Sequence, residues 1–213
     1  CKRAYVFDSS GDVGKIVIGG PGQTKIFADV VGRRSHAGLA PEDGISAIQV
    51  MSKAIAKMNL LRIDEETTCN IGSIKAEYPT NIVPDRCSII AEVRSRNADK
   101  LNAHEAHIHK CLQDACDEAG ATLEYNPMTN YVAYNVSEDS ETVKLIAQAI
   151  EKAGHTPHTA LGGGGSDANV YNLKGIETVV LGTGMTKVHT TDECLKIQDL
   201  NDTARVILAL LTL

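Results

Sequence analysis

Four stretches carry residue types that suit chemistry. Asp8 closes the apolar run "AYVFD" ahead of "SSGDVG", His36 lies in "GRRSHAG", Ser166 and Asp167 follow a glycine run in "LGGGGSDAN", and His189 stands in "TGMTKVHTTDEC". A histidine between a glycine turn and two carboxylates is a candidate metal ligand, but a ligand needs companions, and no second histidine lies at ligand spacing on that segment. Asp8 suits a cation or the cap of the turn that follows it. The glycine run lacks the Lys-Ser/Thr of a phosphate loop and the phasing of a dinucleotide loop. It is one residue from a nucleophile elbow, with Gly164, Ser166 and Ala168 where G-x-S-x-G is required, and Ser166, Glu177 and His189 come in the chain order of a serine hydrolase. Against that reading, only 47 residues follow Ser166, too few for an elbow in mid-sheet. His104, His107 and His109 fall within a helical pattern and read as a polar helix face, while His155 and His158 in "GHTPHT" read as loop residues.

The elements that must position these residues alternate between strand and helix. "TKIFADVVG" sets Ile26, Ala28 and Val30 against Phe27, Asp29 and Val31, the period of a strand. Residues 44 to 58 place Ile48, Met51, Ile55 and Met58 at helical spacing. The strands "TTCNIGSIKA" and "RCSIIAEVRS" follow, joined by the turn-rich "EYPTNIVPD". A helix from Ala98 to Ala119 gathers Leu101, Ile108, Leu112, Ala115 and Ala119 on one face, Gly120 stops it, and "ATLEYN" is a strand. This is a β-α-β-β-α-β unit. Residues 136–213 read as helix, glycine loop, the strand "TVVLG", the His189 loop and a last helix with Ala204, Ile207, Leu208 and Leu211 inward. The fold class expected is α/β with an α+β insert: residues 20–135 form the inserted unit, and residues 1–19 and 136–213 form an α/β lobe. The chain opens at Cys1 directly into an apolar strand with no initiating methionine, so a fragment of a longer protein is expected. In such a fragment "AYVF" and "TVVLG" would be edge or surface elements.

Composition narrows the function. The formal charge of −6, with Arg33 and Arg34 the only compact basic pair inside the chain, away from its start, argues against a nucleic-acid surface. No apolar run reaches the roughly 18 residues that span a bilayer. Six cysteines without a CxxC pair or a secretory leader read as reduced cytoplasmic thiols, mostly core filler.

Asp8 after a strand, "GRRSHAG", "PEDGISAI", "TNIVPD", Arg94 at the end of the next strand, "GGGSDAN" and "VHTTDE", in that order, resemble the peptidase T and aminoacylase family of co-catalytic zinc exopeptidases, with "HAG..PE.G..AI" most like its peptidase T branch. The resemblance covers nearly the whole chain. It implies that Asp8 and His189 each ligate one of two zinc ions. It implies that His36 stabilises the oxyanion across a homodimer formed by the inserted lid. Asn81, Arg94, Gly164, Gly165, Ser166 and Asp167 would contact a short peptide substrate, Arg94 by forking onto its carboxylate. For Arg94 an ion pair with Glu92 is the plainer reading, and for Asp167 a helix N-cap. The family's H-x-D ligands, bridging aspartate and Glu-Glu pair precede the position of Asp8 and are not in this chain. Zinc catalysis needs about three protein ligands and a base, so the chain by itself is expected to be inactive. Three other readings stand beside this one: a deacylase or carboxypeptidase of the same family, a metal-free serine hydrolase using Ser166, and a non-catalytic dimerisation module.

Overall fold

The alternation in residues 22–31 becomes a strand, Gly22–Val31, with Ile26 and Val30 fully buried and Phe27 on the opposite face. It pairs antiparallel along its length with Arg86–Ser95, from Gly22↔Ser95 to Val31↔Arg86. Thr67–Lys75 pairs with the other edge of Arg86–Ser95, and Thr122–Tyr131 flanks Gly22–Val31, with the short Leu61–Arg62 at the sheet margin. Helices Ala47–Lys57 and Ala98–Ala119 pack on the face that carries Ile26, Val30, Ile89 and Val93. Each buried Ile, Leu or Val side chain contributes about 1.5–3 kcal/mol. The expected β-α-β-β-α-β order is present. Gly120 turns the chain at φ 69 and stops the second helix as expected, and side chains cap the helix starts: Ser46 Oγ accepts from Gln49 N and Asn97 Oδ1 accepts from Lys100 N.

This computed structural model describes all 213 residues and resolves into two units, residues 22–130 and residues 1–21 with 131–213. Two expectations for the first unit need correction. Ile48 is exposed, because the helix Ala47–Lys57 packs through the face that carries Ala47, Val50, Met51 and Ala54, and Ile48 falls off that face. His104 is buried instead of lying on a polar face: its Nε2 hydrogen-bonds Asn59 O at 3.1 Å, while His107 Nε2 accepts from Asn59 N at 3.2 Å. The two rings thus hold the segment that follows the helix Ala47–Lys57. Burial lowers the His104 pKa and favours the neutral ring.

In the second unit the sheet order is Arg3–Ser10, Glu177–Met185, Lys15–Gly20, Tyr134–Asn135, with His158–Leu161 also pairing with Lys15–Gly20. Arg3–Ser10 is an edge strand, as expected of "AYVF". Glu177–Met185 is not: it has a neighbour on each side, and Val179, Val180 and Leu181 are buried in the core with Ile16, Ile146 and Ile150. The reason is that Lys15–Gly20 and the helix Glu141–Lys152 supply its burial from within this chain. The last helix, Ile197–Leu211, is rotated from the expected phase. It buries Asp202, Thr203, Val206 and Ala209, and leaves Leu208 and Leu211 exposed. Hydropathy alone turns the leucines inward. Asp202 can take the inner face because its carboxylate accepts hydrogen bonds from Gln198 and from Arg205, the latter at 2.9 Å. No helix is long and apolar enough to cross a membrane. All six cysteines are free, and Cys69, Cys87, Cys111 and Cys116 are core residues.

Candidate functional site

Asp8 reaches the site on the carboxyl end of Arg3–Ser10. That strand runs parallel to Glu177–Met185, and its register slips between Val6 and Ser9 and again between Ser9 and Ser10. Such irregularities re-aim side chains at the end of a strand. The turn beyond is tied down by Gly14 N donating to Asp12 Oδ1 at 2.9 Å and Lys15 Nζ donating to Ser10 O at 2.9 Å. Glu177–Met185 ends on the same side and leads into the His189 loop. Gly184 makes the exit possible, with φ +87 and Asp199 Cβ only 2.4 Å from where a side chain would begin. Thr186 and Cys194 close the loop with two backbone hydrogen bonds, of 3.0 and 3.2 Å. Within it His189 adopts φ 65 and donates its N–H to Glu193 Oε2 at 2.8 Å, which occupies that carboxylate and leaves the imidazole exposed. The carboxyl ends of parallel strands are where open α/β sheets bind ligands.

The glycine run completes the site. Gly162 N donates to Gly19 O at 2.7 Å, whereas the N–H groups of Gly163, Gly164 and Gly165 have no acceptor in the protein. Gly163 and Gly164 face open space, and a Cβ on Gly165 would lie 2.2 Å from Tyr131 Cζ. The run ends at Ser166, the N-cap of the helix Asp167–Leu173, in a capping box with Asn169. Asn169 is buried and donates to Pro21 O and Val132 O at 3.0 and 2.7 Å, which anchors the helix start. The N-cap is therefore Ser166 and not Asp167, which is the first helical residue.

Asp8, Gly164, Gly165, Ser166 and His189 line one cleft of about 260 Å³, together with Lys15 and Tyr134. Asp167 is exposed and does not line it. Lys15 and Tyr134 were not singled out in the sequence, where each looks like an ordinary strand residue. The serine-hydrolase triad is not assembled. Glu177 begins the strand whose far end leads to His189, roughly 25 Å away at strand rise, and its carboxylate accepts from Thr142 Oγ1. Ser166 Oγ is engaged by Ala168 N at 3.3 Å.

The other predicted residues lie in the unit of residues 22–130. Ser35–His36 and Ile82–Val83 form a two-stranded ladder, and Ala37 N donates to Asn81 O at 2.9 Å, so His36 and Asn81 are neighbours. His36 Nδ1 accepts from Gly38 N and Leu39 N at 3.1 and 3.2 Å. An accepting Nδ1 puts the ring proton on Nε2, where the exposed neutral imidazole can donate it. Arg94 makes the ion pair named as its plainer reading: Nε and Nη2 fork onto Glu92 at 2.8 and 3.2 Å. Glu92 also accepts from Gln23 Nε2 at 2.5 Å, and Gln23 Oε1 accepts from Asn130 at 2.7 Å.

One carboxylate and one imidazole in a shared cleft are donors that suit zinc. No group of three or more His, Cys, Asp or Glu side chains in the chain is placed to hold a metal ion. Asp8 and His189 therefore fit as part of a metal site and do not close one.

Residues 20–120 match the peptidase dimerisation domain of the M20 peptidases. The chain belongs to the M20 peptidase family. Its fold is that of the family's peptidase T-like members. Aminopeptidase PepT from Bacillus cereus superposes with a TM-score of 0.91 at 41% identity, over 98% of this chain and 56% of that one. A tripeptidase from Staphylococcus aureus gives a TM-score of 0.93 at 34% identity over the same shares, 98% and 56%. The YqjE protein of Bacillus subtilis is 39% identical over 97% of this chain and 56% of its own length. At 18% identity, with a TM-score of 0.72 over 98% of this chain and 56% of the other, the fold is also that of Bacillus subtilis YXEP, a dinuclear metal-binding peptidase of the M20 family. The chain thus spans about half the length of the relatives it matches.

Proposed function

We propose that this chain is part of a zinc-dependent exopeptidase that hydrolyses short peptides in the cytoplasm as a homodimer. The observation that carries the reading is the convergence of Asp8 and His189, at the carboxyl ends of adjacent parallel elements, on a cleft edged by unpaired glycine N–H groups. Asp8 and His189 would each hold one zinc ion, and the remaining ligands and the base would come from sequence outside this chain. The metal pair supplies Lewis acidity and activates water. The chain's own groups bind and orient. The N–H row of Gly163 to Gly165 offers donors to a peptide backbone, and Ser166 fixes that row to a helix start. Residues 22–130 act as the lid and dimerisation domain. His36 donates Nε2–H to the developing oxyanion in the partner subunit's site, beside Asn81, and Arg94 binds the substrate carboxylate from its seat on Glu92.

The test is hydrolysis by the whole protein. Tripeptides with a free amino terminus should be cleaved faster than N-acyl amino acids, activity should disappear on chelation with EDTA, and zinc should restore it. A serine-directed phosphonate should leave Ser166 unlabelled, and the 213-residue chain alone should hydrolyse none of these substrates. Activity that survives complete chelation would overturn the metal assignment. Preference for N-acyl amino acids would make the protein a deacylase of the same family.

A further inference from the structure

Tyr134 stands in the cleft with a polar group that the fold does not use. Its residue is 9% exposed, and its ring lies against Gly20, where a Cβ would come within 2.7 Å of Cε1. Glycine at position 20 thus gives the ring its place, and the antiparallel pairing Tyr134↔Gly20 holds the backbone behind it. The hydroxyl makes no hydrogen bond within the protein, although buried tyrosines ordinarily find one. Ser35 Oγ is the one fully enclosed side-chain N or O without a partner. The phenolic oxygen is equally unpartnered but not fully enclosed, and Tyr134 is one of the residues that line the cleft. Burial pushes this phenol up to about 12, so at neutral pH it keeps its proton and can donate. The unpaired N–H groups of Gly163 to Gly165 line the same cleft and likewise lack acceptors. A peptide main chain, with a carbonyl at every residue, offers several acceptors in a row.

We propose that Tyr134 is a substrate-binding residue whose hydroxyl donates a hydrogen bond to a main-chain carbonyl of the peptide held along the Gly162–Gly165 loop. The inference rests on the peptidase reading of the cleft given above. Its experiment compares Tyr134→Phe with the unaltered whole protein in three measurements: calorimetric affinity for a phosphinic tripeptide, steady-state hydrolysis of the corresponding tripeptide, and thermal denaturation. Phenylalanine keeps the ring against Gly20 and removes only the donor. Affinity should fall and KM should rise by roughly 3- to 10-fold, the effect of one neutral hydrogen bond. The melting temperature and zinc content should stay unchanged, because the hydroxyl has no partner to lose. Equal affinity and KM in the two proteins would overturn the role of Tyr134 while leaving the peptidase reading intact. A drop in melting temperature with unchanged affinity would make the hydroxyl structural, and overturn it too. An unaltered protein that neither binds the phosphinic tripeptide nor cleaves the tripeptide would sink the peptidase reading, and this inference with it.

Discussion

Replacing His189 with asparagine in the whole protein should remove one of two zinc ions and lower kcat/KM by roughly 10³-fold or more. Asparagine is the informative choice because His189 adopts φ 65, a left-handed conformation that asparagine tolerates better than most residues. His189→Ala would add backbone strain of about 1 kcal/mol or more, and so confuse a misplaced loop with a lost ligand. The loop should survive the asparagine change. Its closure comes from the Thr186–Cys194 pair and from Glu193 accepting the backbone N–H of residue 189, neither of which involves the ring. Bound metal read by atomic emission, together with an unchanged melting temperature, checks this. Full zinc occupancy in an inactive His189→Asn protein would remove the residue from the ligand set.

The second large effect is expected at His36. In the whole protein His36→Asn should lower kcat by roughly 10²-fold, the cost of deleting one oxyanion donor, with little change in KM or zinc content. Asparagine Oδ1 can still accept from Gly38 N and Leu39 N, which preserves the turn while removing the outward Nε2–H donor. A structural role for the histidine would therefore be largely rescued by asparagine, and a donor role would not. If the donor acts across the dimer, mixing His36→Asn subunits with His189→Asn subunits should restore activity, since one site in each heterodimer then has an intact lid and an intact metal side. Heterodimers that form and stay inactive would place His36 outside the partner's site.

Much of this architecture is legible in the residues, for identifiable reasons. The β-α-β-β-α-β unit shows itself because Ile26, Ala28 and Val30 alternate, Leu101, Ile108 and Leu112 repeat at helical spacing, and Gly120 marks a left-handed stop. Asp8, the glycine run and His189 are far apart in sequence, and their convergence was legible only through their order, because parallel pairing of Arg3–Ser10 with Glu177–Met185 is a long-range event with no local signal. The strand His158–Leu161 was hidden by its four-residue length and by the proline before it. Hydropathy misplaces the phase of Ile197–Leu211 because Asp202 is buried by hydrogen bonds, to which hydropathy is blind. Tyr134 gave no signal at all: in "YVAYN" it looks like any strand aromatic, and only the missing partner of its hydroxyl sets it apart.

Whether Asp8 and His189 belong to one two-metal site can be read from anomalous diffraction by crystals of the whole protein grown with zinc. Two peaks are expected at the zinc edge, roughly 3.5–4 Å apart, one about 2.0–2.1 Å from a ring nitrogen of His189 and the other about 2.0–2.2 Å from an Asp8 carboxylate oxygen. Peaks that leave either residue uncoordinated, or a single peak elsewhere in the chain, would contradict a shared site.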